Sequence, residues 1–193
     1  MIYFTADPHF GDDRLHLLRR PFSTPIENAE TIVRNFQKIN DDDTLYVVGD
    51  VVAKGKEDWL PYIGKIKGHK TLIRGNHDVN LSDTELYKYF EQIIPDGEGI
   101  DVEGYNVVHY PWRGKIAKFN IVGHIHGAWR VQLNMLNVGV DANHFMPLSI
   151  NDIKFYEEAV TKHYDEDVFA AYIQNNEEHR GKRGKKGTYC EAL

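Results

Sequence analysis

Ile2-Tyr3-Phe4-Thr5-Ala6 runs straight into Asp7-Pro8-His9. The first five residues are β-branched, aromatic or small and the Asp-Pro pair breaks them off, which predicts a strand ending in a loop that carries a carboxylate and an imidazole. The pattern returns twice. Leu45-Tyr46-Val47-Val48 stops at Gly49-Asp50, and Thr71-Leu72-Ile73-Arg74 stops at Gly75-Asn76-His77-Asp78. Between the first two, Thr24 and Pro25 supply an N-cap and a first-turn proline, and apolar side chains at 26, 29, 32, 33, 36 and 39 predict a helix over 25–40. Residues 56–66 predict a weaker helix, interrupted by Pro61 and Gly64. The order β-α-β-α-β favours a parallel sheet whose strand ends share one edge.

After a short helical piece at 83–90, the pattern turns strand-rich over 100–102, 105–109, 119–122, 131–133 and 136–140, which predicts a second sheet. From Asn151 the chain reads as helix again, and its end, RGKRGKKGTYCEAL, is polar and glycine-rich. The expected division is a core over 1–150, a helical extension of the same domain over 151–180, and a mobile tail over 181–193. Arg180, Lys182, Arg183, Lys185 and Lys186 form a basic cluster that reads as part of a solvated tail.

A chain of 193 residues can bury roughly 70% of its unfolded surface, enough for a core without covalent staples. The one cysteine, Cys190, excludes an internal disulfide framework and any Cys-based zinc cluster. With 29 acidic and 23 basic residues the net charge is −6, which argues against general attraction to a nucleic-acid backbone. No stretch approaches the ~20 apolar residues of a membrane span, and MIYFTADPHFGDD has neither a basic n-region nor an apolar h-region. The expectation is a soluble, cytoplasmic protein with no membrane partner.

The chemistry lies at the strand ends. Asp7 and His9, two residues apart, would point to one side of an extended chain, as would His124 and His126 in Gly123-His124-Ile125-His126-Gly127. Asp50, Asn76, His77 and His109 end three further apolar runs. Each segment alone is an ordinary turn. Together, setting His77 aside, they offer seven oxygen and nitrogen donors, Asp7, His9, Asp50, Asn76, His109, His124 and His126, too many for one four- to six-coordinate ion. Two ions sharing a carboxylate would use them all. Such a pair clamps the attacking and leaving oxygens of an in-line displacement and acidifies a bound water, and phosphate esters are its natural substrates.

As an ordered set these segments resemble the calcineurin-like metallophosphoesterases. Asp7-Pro8-His9, Gly49-Asp50, Gly75-Asn76-His77-Asp78, His109 and Gly123-His124-Ile125-His126 stand where that family carries Asp-x-His, Gly-Asp, Gly-Asn-His-Asp/Glu, a lone His and Gly-His-x-His. The resemblance implies a two-sheet α/β sandwich (αββα), with helices outside and ligands on loops at one edge. It implies that Asp7, His9 and His126 hold one metal, that Asn76, His109 and His124 hold the other, and that Asp50 bridges them around a hydroxide nucleophile. His77 would then face the scissile phosphate and assist the leaving oxygen, with Asp78 orienting it. Nitrogen and oxygen ligands without thiolate suit Mn²⁺ first, with Fe²⁺, Ni²⁺ or Zn²⁺ as alternatives.

Within the family, the sequence departs from the protein Ser/Thr phosphatases in its first three motifs, and is shorter than nucleases with a DNA-capping domain. It is more similar to a small bacterial or phage branch, through His9-Phe10-Gly11-Asp12, His109-Tyr110-Pro111 and Asn137-Val138-Gly139-Val140. That branch carries histidine where Asp12 stands. The expected activity is phosphodiester hydrolysis on a small nucleotide, with a phosphomonoesterase as the alternative and a non-catalytic scaffold as the remote third. Arg113 could bind a phosphate oxygen and Trp112 could stack on a base. Arg14, Arg19 and Arg20 read as a solvated face at the entrance.

Overall fold

The computed structural model describes residues 1–162. Strands β1 (Ile2–Thr5), β2 (Thr44–Val47), β3 (His69–Ile73) and β4 (Gln92–Ile94) pair in parallel, in that order. A second sheet comprises β5 (Gly99–Val102), β6 (Tyr105–Val108), β7 (Asn120–Val122), β8 (Val131–Gln132) and β9 (Met135–Asn137). Its order is β5-β6-β7-β9-β8, with β6, β7 and β9 parallel and the two edge strands antiparallel. Strand β10 (Leu148–Ser149) returns to the first sheet and pairs antiparallel with β1. The architecture is mixed α/β with two sheets, as the sequence predicts.

Helix α1 (Pro25–Asn35) begins as expected: the Thr24 hydroxyl accepts from the Glu27 N–H at 3.1 Å, and Pro25 occupies the first turn. It ends before residue 40 because the chain tightens there, with Gln37 and Ile39 donating to carbonyls only three residues back. The second helical stretch is only the single turn α2 (Pro61–Gly64), preceded by a turn of 3₁₀ helix at Glu57–Trp59. Helix α3 (Asp83–Leu86) is capped by Ser82. Strands β4 and β10 are not predicted, because three and two residues are too few to show alternation.

Alternation in the first sheet builds the core. Leu45, Val47 and Leu72 join Ala29 and Ile32 of α1, Phe36 just past its end and Leu86 of α3 in one buried cluster, while Phe4 and Tyr46 stack on the opposite face with centroids 5.4 Å apart. The two sheets are sewn together by backbone at one edge. Ala6 N–H donates to Val138 O, and Val140 N–H donates to Ala6 O, both at 3.0 Å.

Two compact units divide the chain, Met1–Lys154 and Phe155 onward. Helix α4 (Ile150–Ala159) contributes to both by sequence. The rest of the expected helical extension, the tail, the basic cluster and Cys190 lie outside the described residues. Among those described, no helix is long and apolar enough to cross a membrane.

Candidate metal centre

Five strands deliver the predicted donors to one edge. β1 leads to Asp7 and His9, β2 to Asp50, β3 to Asn76 and His77, β6 to His109, and β7 to His124 and His126. These strands all run parallel to a neighbour, so their carboxyl ends emerge together. The i, i+2 rule of a strand does not operate at the donors themselves. Asp7, His9, Asp50, His124 and His126 all have left-handed backbone, with φ of 55, 46, 55, 74 and 49°. Such a conformation costs roughly 1–2 kcal/mol for a side-chain-bearing residue and persists where surrounding structure over-determines it. Here the strap is main-chain bonding: Asp7 N–H to Gly49 O and His9 N–H to Asp50 O, both 3.1 Å.

The side chains converge in sets. Donor atoms of Asp7, His9 and His126 lie within 4.8 Å of one another, as do those of Asp50, His109 and His124, and those of His9, Asp50 and His77. Asp50 belongs to the second set and also reaches His9 of the first. Its Oδ2 is 3.4 Å from His9 Nε2 and 3.7 Å from His109 Nε2, while its Oδ1 accepts the His77 N–H at 2.9 Å. His109 Nδ1 donates to Val48 O at 2.7 Å, which aims its lone pair outward through Nε2. Glycine makes room for this packing. A Cβ on Gly49 would stand 2.2 Å from His109 Nδ1, and one on Gly75 would stand 2.3 Å from Asp50 Oδ1. Gly75 is therefore required for space and not for a left-handed backbone, which it does not adopt.

The electrostatics of the cluster suit cations. Burial, then the charge of Asp50, pushes the Asp7 carboxyl well up; the same two causes raise Asp78 to about 7. Burial lowers His9 to about 4 and also lowers His109 and His124, so the imidazoles are neutral with free lone pairs. Burial would raise Asp50 too, yet its imidazole neighbours and the His77 N–H hold it below the usual carboxylate range. Both ring nitrogens of His9 and Nε2 of His109 are buried without a hydrogen-bond partner. Buried polar atoms normally find one, and divalent ions among these carboxylates and neutral imidazoles would satisfy them. The residues fit a two-metal centre.

Other predicted residues fall into different roles. The Asp78 carboxylate accepts from the backbone N–H groups of Asp50, Val51 and Gly75 at 2.7, 3.0 and 2.9 Å, and His77 Nδ1 has no partner. Asp78 thus binds the second and third motif loops together instead of gripping the His77 ring. Asn76 is exposed beside them. Trp112 is 63% exposed, yet it stacks on Tyr110 at 4.7 Å and meets His124 edge-on at 5.0 Å. Tyr110 is itself pinned by its hydroxyl to Asp96 at 2.7 Å. Arg113 follows on the same turn, exposed.

Of the three arginines expected on a solvated face, Arg14 and Arg19 are exposed and Arg20 is not. Arg20 is buried: it forks onto both oxygens of Asp141 at 2.7 and 2.9 Å and donates to the carbonyls of Asp7 and Pro8, each at 2.7 Å. Asp141 Oδ2 also lies 2.8 Å from His126 Nδ1, which turns Nε2 toward the donor cluster. Arg14 forks onto Asp12 through Nε and Nη2 at 3.0 and 2.8 Å. The Asp12 charge is therefore matched locally. Burial would raise its carboxyl, but these bonds prevail and hold it at about 2.

The family model of the calcineurin-like phosphoesterases matches residues 1–182. The chain belongs to this family. Calcineurin-like phosphoesterases hydrolyse phosphate esters and depend on a dinuclear metal centre, which agrees with the cage just described. The gene 66 protein of Mycobacterium phage L5 is 34% identical over 80 residues, a match that covers 39% of this chain and 39% of the phage protein. Among solved structures, a protein of unknown function from Aquifex aeolicus superposes with a TM-score of 0.62 at 25% identity, covering 81% of this chain and 98% of that one. The Pseudomonas putida nuclease MPE gives a TM-score of 0.43 at 20% identity, over 65% of this chain and 61% of the nuclease.

Proposed function

We propose that this phosphoesterase is a phosphodiesterase acting on small nucleotide-type substrates with two bound Mn²⁺ ions. The observation that carries the two-metal reading is the placement of one Asp50 oxygen between His9 and His109, each the partner of a separate donor set. Asp7, His9 and His126 would hold one ion, Asn76, His109 and His124 the other, with Asp50 shared. When bound, the ions supply an acidified water and neutralise charge on the transferring phosphoryl group.

The chain's own groups do the rest. Asp78 keeps the loops of Asp50 and His77 in register. His77 sits edge-on to His9 at 4.5 Å and can pass its ring proton to the departing oxygen. Trp112 offers an exposed ring face braced by Tyr110, suited to stacking a base. Arg14 and Arg20 are each committed to a carboxylate, which favours a singly charged diester over a dianionic monoester. Exposed Arg113, four residues beyond His109, supports the second reading, a phosphomonoesterase.

Turnover of bis-p-nitrophenyl phosphate and of p-nitrophenyl phosphate at equal Mn²⁺ load separates the two. Cleavage of the diester is expected, and activity on the monoester alone would defeat the proposal. His77→Ala should lower kcat at least a hundredfold on either substrate and retain two metals, whereas Asp50→Ala should lose metal as well.

A further inference from the structure

Trp112 reaches the donor set of His124, but the set of His126 has a neighbouring surface of its own. A cleft of about 500 Å³ has an apolar wall of Leu17, Leu18, Ile125 and Phe145, and His126 and Arg19 line it as well. Its volume falls within the range of small-molecule sites and is large enough for a nucleoside-sized group. The walls are built, not loose. Arg19 has left-handed backbone with φ of 56°, and the buried Arg20 next to it ties this segment to the carbonyls of Asp7 and Pro8. On the far wall, Phe145 packs edge-on against Phe22 at 4.8 Å, and Ile125 lies between the two histidine donors of the fifth motif. Leu17 is left 66% exposed at the rim, an apolar side chain that a ring in the cleft would cover.

We propose that this cleft is a second substrate subsite, which takes the aromatic or heterocyclic ring on one arm of a phosphodiester while Trp112 stacks the ring on the other arm. This inference rests on the phosphodiesterase reading and narrows it. His126 belongs at once to the cleft, which its partner Asp141 also lines, and to the donor set of Asp7 and His9, so a ring seated there would lie beside a phosphate held at that set. His124 joins Trp112 to the other set in the same way. A phosphate held at both donor sets would then have an organic surface at each end. Apolar walls select a ring over a sugar hydroxyl or a free phosphate, and of the two charged groups that join them, Arg19 and Asp141, the second is already matched by Arg20. The substrate class that uses every part is a diester between two nucleoside-like groups, such as a dinucleotide.

The test uses the full-length, Mn²⁺-loaded protein with bis-p-nitrophenyl phosphate, which carries a ring on each arm. Ala128 is an exposed lining residue, so Ala128→Trp fills the cleft from its surface side. The expected result is a KM raised at least tenfold, a kcat within threefold of the parent, and unchanged Mn²⁺ content and Tm. A KM within twofold of the parent, with metal content intact, overturns the subsite. Should Ala128→Trp lose metal or fail to fold, Leu17→Asp replaces it, with a KM rise of at least threefold expected and a rise under 1.5-fold overturning it. If the parent cleaves only the monoester, the phosphodiesterase reading fails by itself. The cleft is then judged by the same KM comparison on p-nitrophenyl phosphate.

Discussion

Asp141 and Arg20 act on the centre without belonging to the donor sets. The 2.8 Å contact from Asp141 to His126 Nδ1 fixes which ring nitrogen faces the ions, and Arg20 holds Asp141 in place from a fully buried position. Losing a carboxylate behind a ligating histidine costs roughly 10–100-fold in metal affinity. Asp141→Asn should therefore weaken one of two Mn²⁺ sites by about that factor and leave the other intact, as read by equilibrium dialysis; equal weakening of both would contradict the assignment. Asp12 makes a pH prediction of definite sign. Its folded carboxyl, at about 2, lies below the ordinary 3.8, so its stabilising contribution is complete above about pH 4 and is lost as pH falls toward 2. Because the Arg14 side chain is 57% exposed, the contribution is discounted to about 1 kcal/mol. Unfolding free energies of Asp12→Asn and the parent, from urea titrations, should differ by that much at pH 7 and converge as pH falls from 4 toward 2. A constant gap would assign Asp12 to packing instead.

At the scale of elements, the strand-to-loop junctions carry the function, and their glycines are dictated by neighbours far away in sequence. A Cβ at Gly75 would also stand 2.6 Å from His109 Nε2, so Gly75→Ala must displace either Asp50 or His109. Retained far-UV circular dichroism with loss of at least one bound Mn²⁺ is the expected outcome, and full metal content would show that the loop yields at little cost. The junctions were legible because each is a short contiguous segment, an apolar run followed at once by Asp, Asn or His. The support behind them was not. Arg20 and Asp141 are 121 residues apart, and nothing local to either announces the pairing. Arg20 looked like any surface arginine after a loop, and Asp141, just past Asn137-Val138-Gly139-Val140, carried the one available hint in being an acid close behind a motif. The left-handed ligands were equally hidden, because positive φ is uncommon even for Asp and His and is imposed here by pairing between loops.

For the molecule as a whole, the two sheets and the centre are one construction. The parallel order β1-β2-β3 and the parallel β6-β7-β9 bring their carboxyl ends to a common edge, and the Ala6 bonds to Val138 and Val140 lock the sheets there. The α/β alternation of the first half and the strand-rich second half already pointed to two sheets; the short β4 and β10, which complete the first sheet, did not show. Three buried carboxyls, Asp7, Asp50 and Asp78, face one another at that edge, so cations should stabilise the entire fold. A ligand at a hundred times its Kd adds about 2.7 kcal/mol, or very roughly 5–10 °C in Tm for a chain of this size. Thermal unfolding with Mn²⁺ and with excess EDTA should show that difference, and coincident curves would mean that the ions bind without bracing the scaffold.

The backbone at Asp7, His9, Asp50, His124 and His126 also bears on how such a chain can drift over generations. Each is a spot where glycine or asparagine would sit more comfortably, so selection for catalysis has to be kept up against a standing local pull toward blander residues. A lineage released from that selection should shed its donors at these very turns first, and its inert descendants would be sturdier than their metal-stripped ancestor.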